Sequence, residues 1–394
     1  MKSKIYFSSA RAEGPDYKYS FVAKLEQILQ IIDFSSFIND KDYVAVKTHL
    51  GSYGAHRIVR PIFLKKVVDR AKEAGGIPFV TDTVRIPGLE YLDVANMEGI
   101  NHLSVGAPIV MADGIFGTDH VLVESGPILK KAGVASAIYH APVMIVVSHC
   151  KGHISSGFGG AIKNLGMGGI SCKDHYGEAM RGRIHFEENR HLEWLPDKCI
   201  RCGNCISVCP HGAIKLVDNR ITIDKSICVK CARCSRVCKL EALIAPISEE
   251  GFQRGLAESA AAVVSTFEKG KILYINFITE VQPECDCMPL ADTPIVQDQG
   301  VMVSFDPVAI DQASVDLINR AEPIAQSKAS DKKVKRGENI LKAVTGKNAQ
   351  YHIDAAFEAG LGQKEYEIIE IKQKDTVREK DTCYCKQEER CLKD

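Results

Sequence analysis

Eight of the fifteen cysteines in this 394-residue sequence form two tetrads with the same spacing. Both tetrads follow the pattern C-x2-C-x2-C-x3-C, and a proline follows the first of them. They are Cys199, Cys202, Cys205 and Cys209, and then Cys228, Cys231, Cys234 and Cys238. In this arrangement three closely spaced thiolates bind one iron–sulfur cubane, while the fourth cysteine points towards the other half of the repeat. The duplicated spacing therefore predicts two [4Fe–4S] clusters.

The exchange of the fourth cysteine gives each cluster ligands from both halves of the repeat. The predicted ligands are Cys199, Cys202, Cys205 and Cys238 for cluster 1, and Cys228, Cys231, Cys234 and Cys209 for cluster 2. Zinc is the alternative, because C-x2-C pairs also bind zinc. A structural zinc site needs four ligands, however, and not a close triplet plus one that is then duplicated. The segment resembles the two-cluster ferredoxin module over about residues 194–247, although Lys239 stands where that module usually has proline.

A further pair of cysteines has the spacing of a soft-metal site. Cys285 and Cys287 form a C-x-C pair, which presents two thiolates on one side of a turn or extended segment. His149 and Cys150 are the other candidate ligands for such a metal. A redox pair and two simply buried thiols are the alternatives that the sequence leaves open.

The chain on either side of the tetrads alternates between strand and helix patterns. Apolar runs predict strands at 43–47, 77–81, 121–123, 143–147 and 272–275. Helices are predicted over 58–74, where two glycines follow, and from Asp306-Pro307 to Ile318, with Asp306 as the N-cap. This alternation predicts an α/β fold with a mostly parallel sheet and helices on both faces.

The position of the cysteine-rich segment between two such stretches indicates an insertion and not an end-to-end fusion. We expect an α/β domain made of residues 1–190 and 248–372, and an inserted α+β ferredoxin-like module at 191–247. Residues 373–394 are densely charged and lack periodicity, which predicts a mobile tail. Its three cysteines are expected to be exposed thiols without a fixed role, and they are Cys383, Cys385 and Cys391.

Reactive side chains follow three of the predicted strands. Lys47 and His49 come after the first, Asp82 after the second, and Lys151 and His153 after the strand at 143–147. Ligands of open α/β sheets bind beyond the carboxyl ends of the strands. The lysines and histidines are therefore expected to bind an anionic ligand or to transfer protons in a shared cleft.

A glycine-rich stretch, residues 157–170, lies just beyond these strand ends and carries Lys163 and Asn164. It has neither the G-K-[ST] of a P-loop nor the glycine spacing of a dinucleotide fingerprint. Numerous glycines let backbone N–H groups approach an anion closely, and Lys163 adds positive charge. This pattern predicts a ligand loop with contacts from Gly159, Gly160, Lys163 and Asn164, and with Lys163 as a further catalytic candidate. A flexible loop without a ligand is the alternative.

Four segments together resemble the domain-of-unknown-function family 362, in its form with an inserted two-cluster ferredoxin module. They are SHCKGH (148–153), GGAIKNLGMGG (159–169), PECDC (283–287) and DPVAIDQASVDLI (306–318). The similarity extends over about residues 2–372, and the strand end at Lys47, the Lys151/His153 pair and the Lys163/Asn164 loop look like shared positions. The resemblance implies an iron–sulfur protein of anaerobic or redox metabolism and no established substrate.

Composition limits the partners and the location that we expect. Fifty basic and fifty acidic residues cancel, so no global field points to nucleic acid as the main partner. No apolar run approaches the ~20 residues that span a bilayer, and the N-terminus lacks the apolar region of a secretion signal. We therefore expect a cytoplasmic protein without a membrane span, with a homodimer as the default assembly.

Three functions remain open from the sequence. The first is an oxidoreductase that relays electrons through two [4Fe–4S] clusters to a ligand or cofactor in a basic, glycine-rich cleft. The second is a non-catalytic electron-transfer subunit that docks on a partner enzyme. The third is a metal-handling or cofactor-maturation protein with an additional metal at the C-x-C pair. The first takes its electrons from an external carrier, and the second needs a redox enzyme as its partner.

Overall fold

The computed structural model describes residues 2–173, 180–185, 191–228, 230, 232–245 and 248–372. The strands are β1 (Ser3–Ser9), β2 (Tyr43–Lys47), β3 (Ile77–Asp82), β4 (Ile109–Met111), β5 (His120–Glu124), β6 (Lys131–Ala135), β7 (Val143–His149), β8 (Lys151–His153), β9 (Gly157–Gly159), β10 (Glu193–Trp194), β11 (Ile214–Val217), β12 (Arg220–Ile223), β13 (Leu243–Ile244), β14 (Ile272–Ile278), β15 (Gly300–Ser304) and β16 (Tyr366–Glu370). The α-helices are α1 (Phe21–Ile31), α2 (Pro61–Glu73), α3 (Gly88–Met97), α4 (His102–Val105), α5 (Ser136–Tyr139), α6 (Ala161–Gly168), α7 (Asn204–Ser207), α8 (Arg233–Val237), α9 (Glu249–Val264), α10 (Pro307–Arg320), α11 (Lys328–Asp331), α12 (Ile340–Thr345) and α13 (Gln350–Glu358). None of these helices is both long enough and apolar enough to cross a bilayer.

Eight strands form one sheet in the order β16-β1-β15-β14-β7-β2-β3-β4. The five strands from β14 to β4 pair in parallel, and so do β1 and β16. Strand β15 runs antiparallel to both of its neighbours. The predicted α/β fold with a mostly parallel sheet is confirmed.

Helices cover both faces of this sheet. Alternate side chains of its strands therefore belong to two apolar cores, one on each face. In β7, Met144 and Val146 belong to a core shared with α6, α9 and α10. Val143, Ile145 and Val147 belong to the core shared with α1, α2 and α3. Every residue of β7 is buried, as expected for a strand in the centre of a covered parallel sheet. Burial on both sides explains why this strand is a continuous apolar run in the sequence.

Several predicted elements occupy their expected positions. Strand β2 coincides with the prediction at 43–47. Helix α2 begins at Pro61, slightly later than predicted, because Arg60 has an extended backbone and proline favours the first helical position. The Asp306 side chain accepts hydrogen bonds of 2.9 Å from two backbone N–H groups at the start of α10. The predicted N-cap of that helix is therefore present.

The sheet differs from the prediction in two respects. The strand predicted at 121–123 exists as β5, but it pairs with β6 in a separate two-stranded sheet. Strands β1 and β16 were not predicted, because they lie near one edge of the sheet and their sequences alternate between buried and more exposed residues. Such strands carry no continuous apolar run that would mark them.

The described part of residues 191–245 forms a small cysteine-rich unit. It contains two two-stranded sheets, β10–β13 and β11–β12, and the short helices α7 and α8. A separate apolar cluster holds it together, and its buried members are Cys205, Ile214, Ile221, Cys234 and Leu243. The module boundaries at 191 and 247 stay a prediction. The predicted tail, 373–394 with its three cysteines, lies outside the described residues.

Candidate functional site

The carboxyl ends of the parallel strands open into one cleft with a cavity volume of about 120 Å³. Lys47 is the last residue of β2 and Asp82 the last of β3, while His153 ends β8, just beyond β7. Helix α6 supplies a further wall. The predicted site residues that line this cleft are Lys47, His49, Asp82, His153, Lys163, Asn164 and Cys287.

A buried ion pair fixes two of these strand ends to helix α6. Lys47 Nζ lies 2.9 Å from Asp82 Oδ1 and donates a hydrogen bond of 2.5 Å to Asn164 Oδ1. The hydroxyl of Tyr91 donates to Asp82 Oδ2 at 2.7 Å. Burial lowers the pKa of Lys47 below its ordinary value, while the charge of Asp82 opposes that change. Lys47 and Asp82 are only 1% and 3% exposed, so the pair forms the floor of the cleft.

The predicted glycine-rich stretch forms a strand and a helix and not a loop, whereas its predicted ligand contacts stay a prediction. Gly159 belongs to strand β9, Gly160 is the N-cap of α6, and Lys163 lies within that helix. The first backbone N–H groups of α6 donate to the carboxylate of Asp311 at 2.7 and 2.9 Å, so an anion from the chain itself occupies the helix start. A side chain at Gly160 would collide with Asp311, and one at Gly168 with Lys47 Nζ. Close packing therefore accounts for these two glycines.

Removing the Asp311 carboxylate is expected to destabilise the chain. The carboxylate accepts three hydrogen bonds, two from α6 and one of 2.8 Å from Asn276 Nδ2. Asp311→Ala should lower the free energy of unfolding by about 2–3 kcal/mol, because it leaves buried donors unpaired. Asp311→Asn, which keeps an acceptor oxygen, should lose less. Urea unfolding measures both variants, and equal losses would show that capping is not the cause.

Burial suppresses the charge of the cleft histidines. It lowers the pKa of His49 to about 3 and lowers the pKa of His153 below its ordinary value. His49 Nδ1 accepts a hydrogen bond of 3.0 Å from the backbone N–H of Gly51. His49 is therefore a neutral ring at neutral pH, with its other nitrogen protonated. The expected proton transfer near neutral pH does not suit His49, because its titration lies far below that range.

Asp286 anchors the segment that carries the C-x-C pair. Its two carboxylate oxygens lie 2.9 Å from His149 Nδ1 and 2.7 Å from Lys151 Nζ. Burial alone would raise the pKa of Asp286, but Lys151 and His149 hold it below its usual range. Lys151 and His149 thus position this segment at the end of β7. Both side chains are occupied by their contacts with Asp286.

The structure gathers His153, Cys285 and Cys287, with one potential ligand atom of each within 4.8 Å of the others. Lys163 Nζ lies 3.6 Å from Cys285 Sγ. Burial by itself would raise the pKa of the Cys285 thiol, but the hydrogen bond with Cys287 and the charge of Lys163 hold it well below the ordinary value. Cys285 therefore loses its proton more readily than an ordinary thiol.

Two predicted members of that metal site are not part of this group. The second ring nitrogen of His149 contacts the carbonyl oxygen of Thr279 at 2.9 Å, so both of its nitrogens are engaged. Cys150 is fully buried in the core below the sheet end, where burial raises the pKa of its thiol. His153 takes their place, because β8 turns back beside the segment that follows β14: the N–H of Gly152 donates to the carbonyl of Gln282 at 2.8 Å.

Four arginines that the sequence analysis did not identify also line the cleft, and they are Arg85, Arg181, Arg233 and Arg236. Arg181 is held by hydrogen bonds of 2.8 Å to Thr83 Oγ1 and 2.7 Å to the carbonyl of Val84. The described lining therefore contains six lysines and arginines and one carboxylate, that of Asp82. Such a lining favours an anionic ligand. Arg85 follows a strand end closely in the sequence, which is the one signal that could have revealed it.

The cysteine-rich unit closes one side of the cleft. Its residues Pro210, Arg233 and Arg236 belong to the lining. Arg236 Nη1 donates a hydrogen bond of 2.7 Å to Ser155 Oγ, which joins the unit to the turn between β8 and β9. Pro210 is the residue after Cys209, and Arg233 is the residue before Cys234.

The backbone repeats itself around the two tetrads. Arg201 and Lys230, which occupy equivalent positions, have φ angles of 58° and 49°. Gly203 and Ala232 are also equivalent, with φ angles of 79° and 56°. Left-handed conformations are unfavourable for residues other than glycine and persist where the surrounding structure requires them. The backbone thus has the same left-handed conformation at both pairs of equivalent positions.

The last cysteines of the two tetrads have matching hydrogen bonds. The N–H of Ala213 donates to Cys209 Sγ, and the N–H of Ala242 donates to Cys238 Sγ, each at 3.2 Å. Hydrogen bonds of this kind stabilise thiolates that hold iron–sulfur clusters. The internal duplication seen in the sequence therefore extends to the surroundings of the sulfur atoms.

The donor sets suit a cubane better than a single ion. Cys209, Cys228 and Cys234 line one cavity together, and Cys231 lies outside the described residues. The four cysteines predicted to bind cluster 1, which we call the first set, are all described. No three of their sulfur atoms lie within 4.8 Å of one another. One tetrahedral zinc ion places its sulfur ligands about 3.8 Å apart. The first set is thus spaced more widely than one zinc ion requires.

Curated relatives match short stretches of the chain. An isethionate sulfite-lyase activating enzyme of Desulfovibrio desulfuricans is 41% identical over 54 residues, 12% of this chain and 17% of that protein. An uncharacterized ferredoxin of Methanocaldococcus jannaschii is 32% identical over 74 residues, 18% and 44% of the two chains. Pyruvate synthase subunit PorD of Methanothermobacter marburgensis is 43% identical over 47 residues, 12% and 54%. The chain spans about half or less of the length of these relatives.

Two broader comparisons cover most of the chain. The lactate racemase apoprotein from Thermoanaerobacterium thermosaccharolyticum aligns with 93% of this chain and 82% of its own, with a TM-score of 0.37 and 11% identity. The family described as domain of unknown function (DUF362) matches residues 44–316, which include the strand ends, helix α6, both cysteine tetrads and the C-x-C pair. The resemblance predicted from the sequence is confirmed, and the chain belongs to this family.

Proposed function

We propose that this chain is an iron–sulfur redox protein that relays electrons through two [4Fe–4S] clusters to an anionic ligand in the cleft. Residues 191–247 would form the inserted cluster module. The duplicated tetrads, their repeated backbone and the matched N–H to sulfur hydrogen bonds support this assignment. Two of the relatives are named as a ferredoxin and as a subunit of pyruvate synthase, and both names fit electron transfer.

One observation carries the proposal: residues beside two cysteines assigned to cluster 2 line the cleft. Pro210 and Arg233, the chain neighbours of Cys209 and Cys234, line the same cavity as Lys47 and Lys163. The cysteines assigned to cluster 2 are thus adjacent to the place where a ligand would bind. Such clusters, when bound, supply single electrons, and two of them suit a relay.

The first tetrad offers the entry side. Cys202 is exposed, and Ile200, between the first two cysteines, is 71% exposed. This exposed end of the first tetrad is where an external electron carrier or redox enzyme would approach it. Electrons would therefore enter near Cys202 and leave at the cleft.

The residues of the cleft would hold the ligand through charge. The six lysines and arginines of the lining outnumber its single carboxylate, and that carboxylate is already paired with Lys47. His49 contributes an uncharged N–H donor, because burial keeps its pKa at about 3. Lys163, on the first turn of α6, is the cation placed between the C-x-C pair and the open cavity.

Metal analysis of anaerobically purified protein tests the cluster assignment. About eight irons per chain are expected, with paramagnetic signals from two interacting clusters after reduction. About two zinc ions per chain with iron near zero would overturn it. This experiment does not depend on knowing the ligand.

The loss of Lys163 is expected to weaken anion binding in the cleft. Inorganic phosphate at low ionic strength is the probe, and isothermal titration calorimetry is the measurement. Lys163→Met should weaken phosphate binding about tenfold, which is the effect of losing one charge-assisted contact. The matched control is Lys269→Met, since Lys269 is exposed and outside the cleft. If the two variants bind phosphate equally well, the cleft is not the anion site.

A further inference from the structure

We propose that His153, Cys285 and Cys287 hold a single thiophilic divalent metal ion whose open coordination position faces the cleft. The inference extends the proposed function, because it places a metal beside the anion site that the clusters would serve. It concerns a separate set of ligands, however, and its test measures zinc and iron separately.

The three donor atoms lie close enough together to bind one ion. Their ligand atoms lie within 4.8 Å of one another, and a small contraction reaches the spacing of about 3.8 Å that tetrahedral zinc gives its sulfur ligands. Cys285 is fully buried, whereas Cys287 and His153 line the cleft. A metal held by all three would have protein on one side and the cavity on the other. Three protein ligands with one open position are the arrangement of catalytic metal sites.

Hydrogen bonds orient the ring of His153 for this role. Ser156 Oγ lies 2.9 Å from His153 Nδ1 and donates its proton to the carbonyl of Phe158 at 2.8 Å. Nδ1 also accepts hydrogen bonds from the backbone N–H groups of Ser155 and Ser156, at 3.3 and 3.2 Å. In the metal-free chain Nδ1 is therefore an acceptor, and Nε2 carries the ring proton. A metal ion would take the place of that Nε2 proton, and Ser156 Oγ is placed to accept from Nδ1–H in the metal-bound ring. Such outer hydrogen bonds are typical of metal-binding histidines.

Ion pairs and hydrogen bonds also hold the C-x-C segment in a fixed position. Asp286, between the two cysteines, is clamped by His149 and Lys151. Arg85 donates two hydrogen bonds, of 3.2 and 3.1 Å, to the carbonyl of Cys287. The N–H of Cys287 donates to Cys285 Sγ at 3.3 Å. Fixed side chains of this kind lower the cost of assembling a metal site.

Charge and softness define the class of metal. Two thiolates and one imidazole suit zinc, iron, nickel or copper and not magnesium or calcium. The two thiolate charges balance one divalent cation. Lys163, 3.6 Å from Cys285 Sγ, then remains as positive charge beside the open position. An anion in the cleft would thus meet both the metal and an ammonium group.

Zinc is the probe for this site, added to anaerobic, cluster-loaded, chelator-washed protein. We expect one tightly bound zinc per chain, with iron unchanged. X-ray absorption at the zinc edge should show two sulfur ligands at about 2.3 Å and nitrogen at about 2.0–2.1 Å. The Cys285→Ser/Cys287→Ser variant and the His153→Gln variant should each bind zinc at least tenfold more weakly. Cys150→Ser, a buried thiol outside the group, should bind it as the unaltered chain does.

The outcomes separate this inference from the proposed function. Zinc binding that is equal in all variants would overturn the metal site. A four-sulfur zinc signal accompanied by loss of iron would also overturn it, because the zinc would then occupy a cysteine tetrad. The absorption measurement on the unaltered chain decides the matter even if a variant fails to fold. Normal zinc binding in a chain that carries no iron would uphold the metal site and refute the electron relay.

Discussion

Replacing Cys209 with alanine is expected to remove the second cluster and leave the first intact. Cys209 follows the three cysteines assigned to cluster 1 in the sequence, but the exchange of the fourth ligand assigns it to Cys228, Cys231 and Cys234. The iron content should fall from about eight to about four per chain. Because Pro210 and Arg233 line the cleft, electron delivery there should be abolished while reduction of cluster 1 persists.

The matched variant for this prediction is Cys238→Ala, which should remove cluster 1 and keep cluster 2. Metal analysis and electron paramagnetic resonance of the reduced proteins measure both changes. Each variant should show a single cluster without magnetic interaction, and the two signals should differ. If Cys209→Ala instead destroys the cluster held by Cys199, Cys202 and Cys205, the ligands are not exchanged between the halves.

Lys47→Met is expected to have the largest effect on stability. The substitution removes the partner of Asp82 and leaves that carboxylate buried with only uncharged donors, among them the Tyr91 hydroxyl at 2.7 Å. Breaking a buried ion pair from one side costs about 3–5 kcal/mol. Urea unfolding under anaerobic conditions should show a loss of that size. Lys41→Met, at a position 83% exposed, should change little.

The double variant Lys47→Met/Asp82→Asn separates the charge from the packing. Without the carboxylate, no unpaired charge is buried, and much of the stability lost in Lys47→Met should return. A loss in the double variant that equals the sum of the two single losses would show that the pair is not coupled.

The sequence identified features that depend on local spacing. The tetrads, the strand at 43–47 and the Asp306 cap could be read from consecutive residues, because each is formed within a short segment. Lys47, Asp82 and His153 could be expected in one cleft, because the carboxyl ends of parallel strands meet at the same edge of a sheet.

Features that depend on distant contacts could not be read in this way. His153 joins Cys285 only because β8 turns back beside the segment that follows β14. The glycines around α6 predicted a ligand loop, but Gly160 and Gly168 are explained by close packing. Gly160 packs against Asp311 and Gly168 against Lys47. Arg233 and Arg236 reach the cleft because of how the cysteine-rich unit is placed, which no local pattern encodes.

In the proposed relay, the arginines of the cysteine-rich unit would link two kinds of negative charge. Arg233 and Arg236 lie within the second tetrad in the sequence and line the cavity. An electron on cluster 2 and an anion in the cavity would be attracted to the same guanidinium groups and would repel each other. Binding equilibria linked in this way are reciprocal. An anion that makes reduction harder is itself held more weakly after reduction, by the same factor. Reduction would thus favour release of the anion without any conformational change.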